Sequence, residues 1–480
     1  MKQFTPHKLP LISLTALSSL VALGSSAAWG STTYVTLNPG ANVQAAVNAA
    51  PAGTVFYLNA GTYRMQSVKP QAGDAFVAKG TVIFNGSAVL SFNASGNQYV
   101  ASAKFDGVAH GTCLSTSPLC DYDQDLFIDN VLQTKATTNE NLEAGSWYFD
   151  HANNKVYIPT NPAGHTVELG MSTYAFYGSA PHVTINGITV EKYANEAQTA
   201  ALGGDGPGWA NGLGFGWLFE NCEARFNHGA GAYVGPGDKI YKCYLHHNGQ
   251  QGIKAIGTNV QIIQNEISFN NQDGFDTGVE GGGGKVTATN NLVVQSNYFH
   301  DNIGMGLWAD TNNIYTTYED NLFVNNANGG LMHEVSYNAV IKDNTFIGNS
   351  PNQLVWMESA QILIQNSPNV EVYGNSVTVP ATGGNGITIV NQNRGSGAYG
   401  SYTIANDNIH NNMITYLGAT GYSGMGSDTT ATQFSGVSFN HNRYVLKGGG
   451  TKHWFWMHNT ADWSRMTQID MQEANGSCCN

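Results

Sequence analysis

Five residues in the middle of this 480-residue chain have types suited to sugar chemistry: Asp276, Lys285, Trp308, Asp310 and Glu334. Cleaving a glycosidic bond needs an acid and a base or nucleophile on either side of it, and an indole gives the apolar face of a sugar ring something to rest on. A lysine among the acids allows a second chemistry, in which a neutral amine removes the proton next to a carboxylate. Both require residues far apart in sequence to lie on one surface.

The elements that would stack them are legible as a repeat. Between Phe219 and Asn349 one column runs Cys222, Cys243, Asn265, Asn297, Asn321, Asn344, with gaps of 21, 22, 32, 24 and 23 residues. A second column runs Asn227, Asn248, Asn270, Asn302, Asn326, Asn349. Units this short, with brief alternating apolar runs and Asn/Gly turns, are too small for a helical pair or a propeller blade, and they lack the leucine pattern of leucine-rich repeats. They predict an all-β chain in which each unit is one coil of a right-handed parallel β-helix. Asn tolerates left-handed backbone at turns, and its amide can bond the Asn of the next coil to form a ladder. Cys222 and Cys243 fall on neighbouring rungs at the ~4.8 Å strand spacing, which fits either a stacked disulfide or two buried thiols.

Side chains alternate along a strand, so the repeat can be turned into faces. After the glycine of each coil, Ala232, Ile253, Phe275, Leu307 and Leu331 are expected to point inward. Tyr233, Lys254, Asp276, Trp308 and Met332 then point outward, followed on the same face by Gly235, Ile256, Gly278, Asp310 and Glu334. This reading lines up Asp276, Asp310 and Glu334 as candidate catalytic carboxylates, with Trp308, Lys254 and Tyr233 as candidate substrate contacts. Arg394, on a later coil, is a candidate partner for a substrate carboxylate. His333 should face inward, as a buried structural histidine or a catalytic group. The longest insertion, residues 277–292, carries Glu280, four glycines and Lys285, a candidate base. GGGGK is not a phosphate loop, because Val286 stands where Ser or Thr would meet magnesium.

Around this core the chain divides into five parts. Lys2 and Lys8, the apolar run Leu9–Leu23 and the small residues from Ala27 to Gly30 read as a secretory signal over 1–30, hence a secreted or periplasmic protein. Residues 31–89 form an N-terminal cap, with a short helix over 42–50, and the first coils. Residues 90–168 break the rhythm and read as an inserted β-rich subdomain, 169–440 as the β-helix, and 441–480 as a C-terminal cap with Trp454, Trp456, Trp463 and a helix over 461–473. No later stretch reaches the ~20 apolar residues of a membrane span. Thirty-three acidic against 20 basic residues, a net charge of −13, argues against binding nucleic acid or anionic lipid. Fifty-seven glycines against 14 prolines suit dense turns, and six cysteines without zinc-like spacing suit an oxidising compartment.

The segment from GFD at 274–276 through NLVVQSNYFHDNIGMGLWAD to YEDNLFVNNANGG at 318–330 resembles the catalytic coils of bacterial mannuronan C5-epimerases, which read GFDPH, then an AHDN turn, then a strand ending in AD. The resemblance implies that Asp276 and Asp310 match two of that family's catalytic-site acids. This chain has Thr277-Gly278 in place of Pro-His, and Asp273 in place of the Tyr before GFD, so the family's acid/base pair does not carry over. The whole chain is similar to secreted bacterial β-helix proteins of the pectate-lyase-like superfold.

Three functions follow from these readings, all with a polysaccharide partner. The first is uronate lyase or C5-epimerase chemistry, with Lys285 or Lys254 as base and Asp276, Glu280 and Asp310 holding a Ca2+ that neutralises the substrate carboxylate. The second is glycoside hydrolysis, inverting with Asp276 and Asp310 ~8 Å apart, or retaining with Asp310 and Glu334 ~5 Å apart. The third is a non-catalytic glycan-binding or adhesive solenoid.

Overall fold

The computed structural model describes residues 32–104, 107–204, 213–352, 355–428, 434–461 and 473–479. The segment read as a signal, Trp463 and nearly all of the helix expected over 461–473 lie outside the described residues. The chain winds into a right-handed parallel β-helix. One coil contributes strands Lys239–Tyr241, Tyr244–His246 and Gln251–Thr258, which pair in parallel with Gln261–Ile263, Glu266–Ser268 and Gly282–Asn290 of the next. Inward residues stack by type: Phe299, Phe323 and Phe346 lie at ring-centroid spacings of 4.9 and 4.7 Å, with their ring planes nearly parallel.

Both expected ladders form. The Asn297 backbone N–H and Nδ2 both donate to Asn321 Oδ1, at 2.9 and 3.0 Å, while its own Oδ1 accepts the same pair of bonds from Asn265. The first column continues through Asn344, Asn375, Asn412 and Asn442. The second passes from Asn227 to Asn349 and ends on Gln361. The left-handed residue is the one before each rung of the first column: Asn221, Lys242, Gln264, Ser296, Asp320 and Asp343 have φ between 53° and 57°. That geometry disfavours a side chain, and the rung that follows offsets its cost with buried hydrogen bonds. Cys222 and Cys243 are free buried thiols on the first rungs, whereas Cys113–Cys120 and Cys478–Cys479 are disulfides.

At the N-terminal end, the helix Val43–Ala49 starts at Asn42, whose Oδ1 accepts from Ala45 N at 2.9 Å, and it buries Val43 and Val47 against the first coil. The chain leaves the solenoid at Ser87–Val89 and rejoins it after Val167–Gly170, just outside the limits read from sequence. Between them lie two small sheets, mostly antiparallel, around a separate core of Leu126, Trp147, Phe149, Val156, Ile158, Val167 and Leu169. At the far end Trp454 and Trp456 are buried in the main core, as core rather than ligand platform. Among the described residues no helix is long and apolar enough to cross a membrane.

The first ladder terminates on a carboxyl group. Glu473 accepts from Asn442 N, from Asn442 Nδ2 and from the Tyr444 hydroxyl, and burial pushes its pKa up to about 7. A raised folded-state value means that Glu473 stabilises the fold fully below its unfolded pKa of ~4.3, and that this contribution is lost as pH rises to about 7. Glu473→Gln mimics the protonated acid. The difference in melting temperature between wild type and variant should therefore change across pH 4–7 by the equivalent of about 3 kcal/mol, and a pH-independent difference would contradict the assignment.

Candidate active site

One face of the solenoid is an 11-stranded sheet that includes Gln251–Thr258, Gly282–Asn290, Met305–Asp310, Gly329–Glu334, Ala360–Gln365 and Asn385–Asn391. Its register sets Lys254, Lys285, Trp308, Met332, Leu363 and Thr388 in one row. Two residues on, Ile256, Thr287, Asp310, Glu334, Gln365 and Val390 form the next. Leu307, Ala309, Leu331 and His333 are fully buried on the opposite side of these strands, so Trp308, Asp310, Met332 and Glu334 share the outward face.

Asp310 and Glu334 are direct register partners on neighbouring parallel strands, which separates them by about the strand spacing of ~4.8 Å. Their environments differ. Lys285 Nζ lies 2.9 Å from Asp310 Oδ2, donates to the Val279 carbonyl at 2.8 Å and sits 3.8 Å from the centre of the Trp308 ring. Thr311 Oγ1 donates to the other Asp310 oxygen. Glu334 is 4% exposed. Burial raises its pKa, Arg394 opposes this and the charge of Asp310 adds to it, with a net upward direction. Trp308 Nε1 donates to Glu334 Oε2 at 3.0 Å, and Arg394 Nη1 approaches Oε1 at 2.7 Å. Beside them is a cavity of about 390 Å3 lined by Trp308, Met332, Glu334, Glu358, Gln365 and Arg394 among others. That is within the ~300–1,000 Å3 range of small-ligand sites.

Several expected positions differ. The sheet strand of the coil containing GFD begins at Gly282, so Lys285 takes the outward place expected for Asp276, and Thr287 the place expected for Gly278. Phe275 is buried against the Cys113–Cys120 disulfide, and Asp276 accepts from Gly278 N to close a turn. Tyr233 and Lys254 are 3% and 5% exposed, with Leu213 and Ile256 packed against the small cluster of Ala200, Ala230 and Tyr233, so they are covered rather than offered to a substrate. His333 is structural. Its ring bonds the Tyr318 hydroxyl through Nδ1 and the Tyr337 carbonyl through Nε2, and burial lowers its pKa to about 4.

The calcium set does not converge. Among the described residues, Asp276, Glu280 and Asp310 bring no three ligand oxygens within 4.8 Å of one another. Glu280 instead accepts from Gln251 Nε2 and faces Lys285, whose ammonium stands between it and Asp310. These residues do not fit Ca2+.

Glu358 and Gln392 reach the cavity without having been anticipated. Burial raises the pKa of Glu358, with Arg394 acting against it. Gln392 Oε1 accepts from Gln365 Nε2 at 2.7 Å and from Arg394 Nη1 at 3.3 Å, which orients the guanidinium toward Glu334. The signal for Glu358 was the irregular stretch after Asn349, where the next rung of the second ladder is Gln361.

The family model for the right handed beta helix region matches residues 209–377. No curated protein matches the chain in sequence. Among solved structures, the complex of XylC with xylose aligns at TM-score 0.67 and 16% identity, over 93% of this chain and 86% of that one. A mannuronic acid specific polysaccharide family 6 lyase from human gut microbiota aligns at TM-score 0.51 and 12% identity, over 94% and 87%. The A-module of Azotobacter vinelandii mannuronan C-5 epimerase AlgE6 aligns at 0.48 and 14%, over 91% and 94%. The fold is that of the right-handed parallel β-helix proteins.

Proposed function

We propose that this chain is a carbohydrate-active enzyme that hydrolyses a glycosidic bond with retention of configuration. The reading is carried by the register pairing of Asp310 with Glu334, the latter in the wall of the cavity. Two carboxyl groups about one strand spacing apart suit a double displacement, since the ~5–5.5 Å of retaining enzymes leaves no room for a water between them, as inversion requires. Asp310, ion-paired to Lys285, attacks the anomeric carbon. Glu334, the buried acid, gives its proton to the leaving oxygen. In the second step Glu334 takes a proton from water, which releases the sugar from Asp310. Arg394 and the Trp308 N–H stabilise Glu334 in the ionised form it holds between the two steps, and the Trp308 ring is the sugar platform. That the complex of XylC with xylose shares the fold agrees with a saccharide ligand.

Lyase or epimerase chemistry at C5 of a uronic acid is the second reading. Arg394 favours it, as a cation in the cavity able to meet a substrate carboxylate, and so does the shared fold of the mannuronic acid specific lyase. It is the weaker reading because Lys285 Nζ is engaged by Asp310, Val279 and Trp308. Incubation with aryl glycosides, neutral oligosaccharides, pectins and alginates separates the two. Hydrolysis gives new reducing ends with the anomeric configuration kept in the first product seen by NMR. An ultraviolet-absorbing unsaturated product, or inversion at C5 with unchanged chain length, would replace the hydrolase reading. Binding without turnover on any glycan would favour an adhesive role.

A further inference from the structure

Where the inserted subdomain meets the solenoid, three side chains from distant parts of the chain converge. Asp125 precedes the insert strand Leu126–Ile128, His228 precedes the solenoid strand Ala230–Val234, and Asp273 begins the turn that leads to Asp276. His228 Nδ1 lies 3.0 Å from Asp125 Oδ2 and 2.9 Å from Asp273 Oδ2, and the three ligand atoms all fall within 4.8 Å of one another. His228 is fully buried, and the side chains of Asp125 and Asp273 are 6% and 8% exposed.

One ring nitrogen carries at most one proton, yet two carboxylate oxygens face it. Asp273 Oδ2 is left buried without a hydrogen bond, although it points at the centre of the group. We infer that this cluster is a binding site for a divalent first-row metal ion such as Zn2+. Separations of 2.9 and 3.0 Å between donor atoms match the ~3.0 Å edge of an octahedron with bonds of ~2.1 Å rather than the ~3.4 Å edge of a tetrahedron, so the ion would be six-coordinate, with water completing its shell. Two carboxylate oxygens and an imidazole nitrogen suit a first-row ion, and the nitrogen disfavours Ca2+.

The surroundings fit the same use. Lys135 Nζ lies 2.5 Å from Asp125 Oδ1, which leaves Oδ2 for the ion. Asp123 Oδ1 stands 3.9 Å from His228 Nε2, on the side where a metal-bound histidine donates its remaining N–H to a carboxylate. With His228 neutral, the three aspartates, Lys135 and a divalent ion sum to zero charge. A cavity of about 330 Å3 lined by Lys135, Gln272 and Asp273 gives a way in and room for water ligands.

The ion would staple the insert to the coils. It would also hold the segment 273–280, whose backbone already pairs with the insert through Asp276 N to Thr112 O and Leu114 N to Gly274 O. That segment supplies Thr277 to the wall of the active-site cavity and Val279 O and Glu280 to Lys285. The inference does not depend on which reaction the enzyme performs.

Full-length protein stripped by a chelator and dialysed against Zn2+ should retain one zinc per chain by elemental analysis, whereas Asp273→Asn should retain none and Asp276→Asn should retain it. At ~100-fold excess over its dissociation constant, zinc should raise the melting temperature of wild type by about 3 °C and leave Asp273→Asn unchanged. Should Asp273→Asn fail to fold, Co2+ titration of wild type decides alone, with visible d–d absorption that saturates at one equivalent. Absence of that absorption, sub-stoichiometric zinc in wild type, or equal retention by Asp273→Asn would overturn the site.

Discussion

Asp310→Asn and Glu334→Gln should each lower kcat by on the order of 10^3-fold or more, while circular dichroism and melting temperature stay close to those of wild type. The two losses should differ in kind. With an aryl glycoside whose leaving group departs without a proton, Glu334→Gln should still form the glycosyl-enzyme and then stall, and added azide should restore turnover to a product of retained configuration. Asp310→Gly should give azide products of inverted configuration, because the small anion then attacks from the face the carboxylate vacated. Glu358 provides the internal comparison, as a second acid of raised pKa lining the same cavity. If Glu358→Gln showed the leaving-group dependence and Glu334→Gln did not, the proton donor would be Glu358 instead.

The second large effect is on stability. Asn297→Ala removes the acceptor for Asn265 N and Nδ2, and the Nδ2 donor to Asn321 Oδ1 and to the Ile262 carbonyl, while the backbone N–H of residue 297 keeps its bond to Asn321 Oδ1. Several polar groups are then buried without partners at ~1–3 kcal/mol each, so an unfolding cost of about 3–5 kcal/mol is expected. Ser438→Ala is the control. Its Oγ donates to Asn408 Oδ1 on the exposed outer face, where water replaces the lost partner, and the change should stay within about 0.5 kcal/mol. Equal destabilisation by the two variants in urea titrations would mean that the inner ladder does not hold the coils together.

The ladders were legible because a solenoid repeats one local solution, so spacing alone locates Asn265, Asn297, Asn321 and Asn344. Asp310, Glu334 and Trp308 were legible for the same reason, since their coils have no insertion between rung and strand. Asp276 was misplaced because the insertion moves the strand start to Gly282. The four glycines marked that start. A Cβ at Gly283 would lie 2.3 Å from the Gly306 carbonyl oxygen, and one at Gly284 2.6 Å from Ile253, so this is strand packed too closely for side chains rather than a flexible loop. Part of the covering of Tyr233 comes from Leu213, which lies outside the repeat, to which periodicity is blind. The meeting of Asp125 with His228, 103 residues apart and on two different architectures, left no trace in spacing.

The rung itself has a consequence for how such a molecule can change. Each coil recognises its neighbour through an interchangeable handshake, an acceptor offered to an amide, and Gln361 and Glu473 already perform it where Asn does not. Added or deleted turns of matching register beyond Asn391 would therefore lengthen or shorten the rod while the catalytic coils kept the same neighbours. Length is thus free to drift under selection independently of chemistry.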